Sequence, residues 1–274
     1  MTRRFRQVDV FTDRLGYGNA LAVVADADDL DDEAMARFAR WTNLSETTFL
    51  LAPTTADADY RVRIFTGSGE LPFAGHPTLG ACHAWLRWGG VPKADRVVQE
   101  CQAGLVPIRR GERLAFAAPP VRRSAVPDAT LDAIVAALGI ARGSVVRSQV
   151  LDNGPVWTTL QLDSAETVLS VDPAAGTALP TWVGLVGPHP TGGPAAVEVR
   201  ALAPGEGFVE DPVTGSLNAS VAQWLVGEGV LPTSYVAAQG TALGRAGRVY
   251  VTVDEEGTWV AGDVAEGVSG SVAL

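Results

Sequence analysis

The chain has 274 residues, of which 47% are hydrophobic and 19% charged, with 30 Gly and 17 Pro. That composition describes a compact globular protein and excludes disorder as the main state; at about 150 residues per domain it predicts two domains. A count of 31 acidic against 21 basic residues gives a formal charge of -10, the wrong sign for holding a phosphate backbone, so no nucleic-acid partner is expected.

No apolar run approaches the roughly 20 residues a membrane-spanning helix needs. Met1–Arg6 leads into Gln7 and Asp9 instead of a signal-peptide apolar stretch, so a cytoplasmic protein with no membrane partner is expected. Two cysteines, Cys82 and Cys101, are too few for a disulfide scaffold in a chain of this length. Three histidines (His76, His83, His189), without Cys-x-x-Cys or His-Glu-x-x-His spacing, predict no metal site.

In chain order, Phe5–Phe11, Ala20–Ala25, Thr47–Leu51 and Tyr60–Phe65 are β-branched or aromatic runs bounded by turn residues and read as strands. Between them, Asp31–Thr42 sets Leu30, Ala34, Phe38 and Trp41 at helical spacing behind an acidic first turn, which suits the positive end of a helix dipole. An apolar helix follows near Pro77–Trp88, then short strands around Arg96–Gln102, Leu105–Arg109 and Leu114–Ala117. Pro119–Ser124 reads as a linker. The second half continues with a helix at Ala129–Leu138 and strands near Val145–Leu151, Val156–Leu162, Trp182–Val186 and Ala196–Leu202. A third apolar helix, Ser216–Val226, precedes strands at Ser234–Ala238, Val249–Val253 and Trp259–Gly262. Both halves thus place many strands around one buried helix.

The halves also share letters. Glu70-Leu71-Pro72-Phe73-Ala74-Gly75 and Glu210-Asp211-Pro212-Val213-Thr214-Gly215 are both Glu-x-Pro-x-x-Gly, each after a strand and each opening an apolar helix. The helices match as well, Ala84-Trp85-Leu86 against Gln223-Trp224-Leu225, so a duplicated domain is the economical explanation.

A Gly turn opening a helix leaves its first N–H groups without helical acceptors and turns the positive dipole end outward, which makes an anion site. His76 sits at the cap of one turn and Ser216 at the same place in the other. If a pseudo-two-fold axis relates the halves, a small carboxylate fits between the two helix starts. The plainer reading is equally available: both residues can be simple caps, and Asp211 before Pro212 is ordinary turn chemistry. Cys82, His83, Trp85 and Trp224 read as core. Glu46 stands at the step from a helix end into an apolar strand, where it is either a solvated loop residue or a general acid/base whose pKa burial raises.

Taken together, Val8–Thr12, Gly18–Val24, Ser45-Glu46-Thr47, the run Glu70–Gly80 with its Gly75-His76-Pro77-Thr78, Glu210–Ser216, Gln239-Gly240 and Arg245–Arg248 resemble the PhzF-like phenazine-biosynthesis isomerase family along the whole chain. The resemblance implies an α+β, diaminopimelate-epimerase-like fold. It has two pseudo-symmetric domains, each a strand barrel around a central helix, with the active site in the cleft and a homodimer common. The expected domains are 1–118, joined by a C-terminal strand at 263–274, and 125–262. By the same resemblance Glu46 moves a proton between substrate carbons without cofactor or metal. His76 and Asp211 assist, and Gly75, His76, Gly215 and Ser216 hold the substrate carboxylate, with Asn19 lining the same cleft.

Two departures stand out. Phe65–Glu70 lacks the proline that usually follows Phe-Thr in the family, and neither turn carries the cysteine of the related two-thiol racemases. The resemblance therefore implies a cofactor-independent isomerase that shifts a double bond on a small unsaturated, cyclic amino-acid-like carboxylate in natural-product biosynthesis. The alternatives are an epimerase or racemase using Glu46 and Asp211, and a non-catalytic carboxylate binder of the same fold.

Overall fold

The computed structural model describes residues 1–205 and 209–274. The chain divides into two compact units, Met1–Ala117 with Ala261–Leu274, and Ala118–Val260. The first unit contains strands β1 (Thr2–Val10) and β2 (Asn19–Val24), helix α1 (Asp32–Thr42), strands β3 (Glu46–Leu51), β4 (Tyr60–Phe65) and β5 (Glu70–Leu71), helix α2 (Gly75–Arg87), and strands β6 (Val97–Cys101), β7 (Gly104–Arg109) and β8 (Leu114–Ala117). The second contains β9 (Arg122–Ser124), α3 (Asp128–Leu138), β10 (Val145–Asp152), β11 (Val156–Leu162), α4 (Ala165–Ser170), β12 (Val183–Pro188), β13 (Val197–Leu202), β14 (Glu210–Asp211), α5 (Gly215–Gly227), β15 (Ser234–Gln239), β16 (Gly247–Asp254) and most of β17 (Gly257–Gly262), whose last two residues belong to the first unit. A final strand, β18 (Val264–Ala273), returns to the first unit.

The internal pairing of the two units is the same, strand for strand. β1 is antiparallel to β2, β2 parallel to β3, and β3 antiparallel to β4; β4 is antiparallel to β5 and parallel to β6, which is antiparallel to β7. In the second unit β10 to β16 repeat this series pair by pair. Even the flanking strands correspond, because β18 pairs antiparallel with β1 and β9 antiparallel with β10. A mixed pattern of seven shared pairings is far more specific than three shared letters, and it supplies the duplication's physical content: one supersecondary plan used twice.

Each plan closes on its own helix. α2 contacts β1, β2, β3, β6, β8 and β18, and nine of its thirteen residues are buried, from Gly75 to Ala84. Burial around the whole circumference explains why this helix lacks the single apolar stripe of a surface helix. Gly80 is required there: a Cβ at this position would lie 2.5 Å from the Leu21 side chain. α5 is likewise buried from Gly215 to Leu225. α1 instead lies on the outside, capped by Asp31, whose carboxylate accepts from the Ala34 N–H at 2.8 Å, and closed by Asn43 in the left-handed region. It covers a core of Met35, Phe38, Phe49 and Phe65, in which Phe49 meets Phe38 and Phe65 edge-on. The second unit's matching core gathers Leu131, Ile134, Leu160, Val168 and Leu185 under α3 and α4.

Two local expectations change. Arg122–Ser124, read as linker, pairs with Val150–Asp152, because an exposed Arg-Arg edge strand carries no apolar alternation to mark it. Trp41, read on the buried face of α1, is 75% exposed and stacks over Phe38 at 5.5 Å; the buried face runs through Met35, Phe38 and Ala39. The C-terminal strand beyond Gly262 is Gly- and Ser-rich and mostly exposed, and it forms through ladder hydrogen bonds to β1.

Candidate active site

In the first unit the topology gathers the expected residues at one place. Because β2 and β3 run parallel, with Leu21 opposite Glu46, Asn19 and Glu46 both lie at the starting ends of adjacent strands. α2 packs against both strands and begins at the same end. Its N-cap is Ala74, whose carbonyl accepts from the Thr78 N–H. His76 is therefore the second helical residue and not a cap. The same holds for Ser216, behind the N-cap Thr214. The capping explanation for both residues is thereby removed, and their side chains are available for other work.

His76 is 4% exposed and Glu46 14%, and His76 Nε2 lies 3.2 Å from Glu46 Oε2 without the alignment of a hydrogen bond. On the other side of the ring, Asn19 Nδ2 lies 3.4 Å from His76 Nδ1. The Ser45 hydroxyl donates to Asn19 Oδ1 at 3.0 Å. Burial pushes the His76 imidazolium down to about 3, so at ordinary pH the ring is neutral. A neutral imidazole beside a carboxylate is a poor competitor for a proton.

Asn19 is held from below. Asp9, 2% exposed, accepts from the Gly16 and Gly18 N–H groups at 2.6 and 3.1 Å and so folds the loop leading into β2. Gly18 must be glycine, since a Cβ would lie 2.1 Å from the Val10 carbonyl oxygen. The Gly75 and His76 N–H groups occupy the first turn of α2, where no helical acceptor exists, and Pro77 at the third position has no N–H to satisfy.

In the second unit Asp211 ends β14, and its Oδ2 accepts from the Thr214 hydroxyl at 2.5 Å. Beneath the turn, fully buried Gln239 and Asn218 fix the backbone. Gln239 Oε1 accepts from the Thr214 N–H and from Asn218 Nδ2, while Gln239 Nε2 donates to the Thr214 hydroxyl and the Asp211 carbonyl. Ser216 is anchored by Trp157, whose Nε1 lies 3.4 Å from its hydroxyl, and by Asn153, which donates to its carbonyl at 2.9 Å. Thus Glu46, His76 and Asn19 come together with Gly75 in one unit, and Asp211, Gly215 and Ser216 in the other. Ser45, Thr214, Asn218 and Gln239 were not expected in these roles.

The shared glutamate of the two turns has a structural task. Glu70 takes Arg63 in a two-pronged pair, Nε–Oε1 2.8 Å and Nη2–Oε2 2.5 Å, and Glu210 takes Arg200 in the same way at 3.0 and 2.7 Å. Each clasps its turn to the preceding long strand, which is why this letter recurs while Asp211 has Leu71 as its counterpart. Both cysteines are free and buried, and burial pushes the Cys82 thiol up to about 12, which leaves it unsuited to proton abstraction. Among the described residues no cluster of His, Cys, Asp and Glu could hold a metal ion, and no helix is long and apolar enough to cross a membrane.

Comparison with known proteins agrees with this architecture. The family described as phenazine biosynthesis-like protein matches residues 8–270, so the chain belongs to that family. It is 37% identical over 267 residues to "Antisense-enhancing sequence 1" of Schizosaccharomyces pombe, with 91% of this chain and 90% of that protein covered. It is 33% identical over 260 residues to trans-2,3-dihydro-3-hydroxyanthranilate isomerase of Pseudomonas aeruginosa, covering 93% and 91%. A PhzF-family crystal structure from Bacillus anthracis, 21% identical, superposes over the full length of both chains with a TM-score of 0.85, which shows the shared fold. The α+β fold and the assignment as a PhzF-like isomerase stand on these matches together with the duplicated topology.

Proposed function

We propose that this isomerase shifts a double bond on a small unsaturated, cyclic amino-acid-like carboxylate, with Glu46 taking a proton from one carbon and returning it to another. The observation that carries this reading is the buried approach of Glu46 to a neutral His76 at the start of α2. Deprotonation next to a conjugated system leaves a delocalised anion. A largely buried carboxylate, a neutral donor that does not capture the proton, and two N–H groups without helical acceptors suit that chemistry. From the resemblance, Asp211, Gly215 and Ser216 serve the same reaction, the protein works as a cytoplasmic homodimer in natural-product biosynthesis, and the chain needs no cofactor.

The test uses trans-2,3-dihydro-3-hydroxyanthranilate, the compound named for the Pseudomonas relative, as probe in D₂O. The expected product carries deuterium at a carbon other than the one deprotonated, because a single glutamate exchanges its proton with solvent between abstraction and return. Deuterium confined to the original carbon, with the double bond unmoved, would replace isomerisation by epimerisation. No turnover across a panel of related cyclic carboxylates would favour the binder.

A smaller expectation concerns the anion site. If the first turns of α2 and α5 recognise a carboxylate, the free acid of any bound probe binds at least tenfold more tightly than its methyl ester, since esterification removes the charge that the N–H groups meet. Calorimetry on the two compounds checks this, and equal affinities would assign recognition to other groups.

A further inference from the structure

The geometry points to Ser45 and Asn19 as positioning residues that fix the single ring proton of His76 on Nε2, so that a neutral donor faces Glu46. It deepens the reading of Glu46 as the proton carrier and rests on that reading for its kinetic consequence. The Ser45 hydroxyl donates to Asn19 Oδ1 at 3.0 Å, and in this arrangement the amide NH₂ lies toward the ring, 3.4 Å from Nδ1. An NH₂ group only donates, so Nδ1 holds its lone pair and the proton of a neutral ring goes to Nε2.

The opposite arrangement is electrostatically poor. With the amide turned over, its oxygen would demand a proton on Nδ1, and the bare Nε2 would then face Glu46 Oε2 at 3.2 Å, two acceptors together in a buried site. Asn19 is 2% exposed and His76 4%, so neither group can turn to water to escape the mismatch. The packing beneath supports the same orientation, because Asp9 gathers the Gly16 and Gly18 N–H groups and thereby sets where Asn19 enters β2.

With the proton on Nε2, His76 presents a donor to the carboxylate that develops charge whenever the substrate carbon is reprotonated. With the proton on Nδ1 it would repel that charge. Asn19 therefore acts on the reaction through His76, and Ser45 acts through Asn19.

The tautomer is read directly by NMR of the free protein labelled with ¹⁵N-histidine, in which only three rings contribute; His83→Gln and His189→Gln leave His76 as the remaining signal. The expected wild-type pattern is a bare Nδ1 and a protonated Nε2. In Asn19→Asp the carboxylate demands a proton from Nδ1, and the pattern inverts. Ser45→Ala, which removes the hydroxyl bonded to Oδ1, gives a mixed pattern, and Ser45→Thr restores the wild-type one. On a substrate that the wild type turns over, Asn19→Asp lowers kcat by about 10²-fold while KM changes little. A wild-type ring protonated on Nδ1, or an unchanged pattern in both Asn19→Asp and Ser45→Ala, would overturn the relay. The spectrum does not depend on turnover, so failure of the isomerase reading and failure of the relay give different results.

Discussion

Glu46→Gln is expected to lower turnover by about 10²- to 10⁴-fold, the range for loss of a positioned general acid/base, while the affinity for a bound carboxylate survives. The amide keeps the size and polarity of the side chain and removes only its capacity to take and give a proton. A large loss follows because the titratable groups His76 and Cys82 of α2 are poor substitutes. The His76 ring, held by burial at about 3, is too weak a base. The Cys82 thiol is buried inside α2 and pushed up to about 12. Turnover and calorimetric affinity must be measured on the same preparation. Parallel loss of both would make Glu46 a binding or structural residue and remove it from the proton path.

The sequence made part of this site legible and hid part of it for identifiable reasons. The turn Gly75-His76-Pro77 announces itself through local chemistry, since Gly and Pro at a helix start have few other uses. By local pattern alone Glu46 is a charge at the edge of an apolar strand, and the resemblance of Ser45-Glu46-Thr47 singled it out. What made it a candidate in the structure is the parallel register of β2 and β3, a non-local fact. Asn19 was expected to line a substrate cleft. Its contacts with Ser45 and His76 span 26 and 57 residues of sequence, and no spacing rule connects such positions. Caps were assigned two residues too far along, because Ser and His are plausible caps while Ala74, which caps α2 through its carbonyl alone, carries no side-chain signal. The fold was better marked than the site, as two apolar helices behind matching turns repeat within one chain, whereas two-residue strands such as β5 and β14 leave almost no pattern to read.

The duplicated clasps make a second expectation with a built-in control. Arg200 and Glu210 are 0% and 1% exposed, and Arg200 Nη1 also donates to the Val168 and Val171 carbonyls at 3.1 and 2.6 Å, which ties the end of α4 to β13. Arg63 and Glu70 make the same two-pronged pair at 21% and 27% exposure, with Asp32 as a further partner. Removing one partner of a buried pair leaves an uncompensated charge, so Arg200→Met is expected to destabilise the protein by about 3–5 kcal/mol. The homologous Arg63→Met, whose orphaned carboxylate can reach water, is expected to cost about 1 kcal/mol or less. Urea unfolding of the two variants measures both. Because the large penalty is that of the stranded Glu210 carboxylate, Arg200→Met combined with Glu210→Leu should recover much of the loss, whereas adding Glu70→Leu to Arg63→Met should change little. Equal destabilisation at the two sites would show that the clasp acts through its geometry alone and that burial of the charges does not set its contribution.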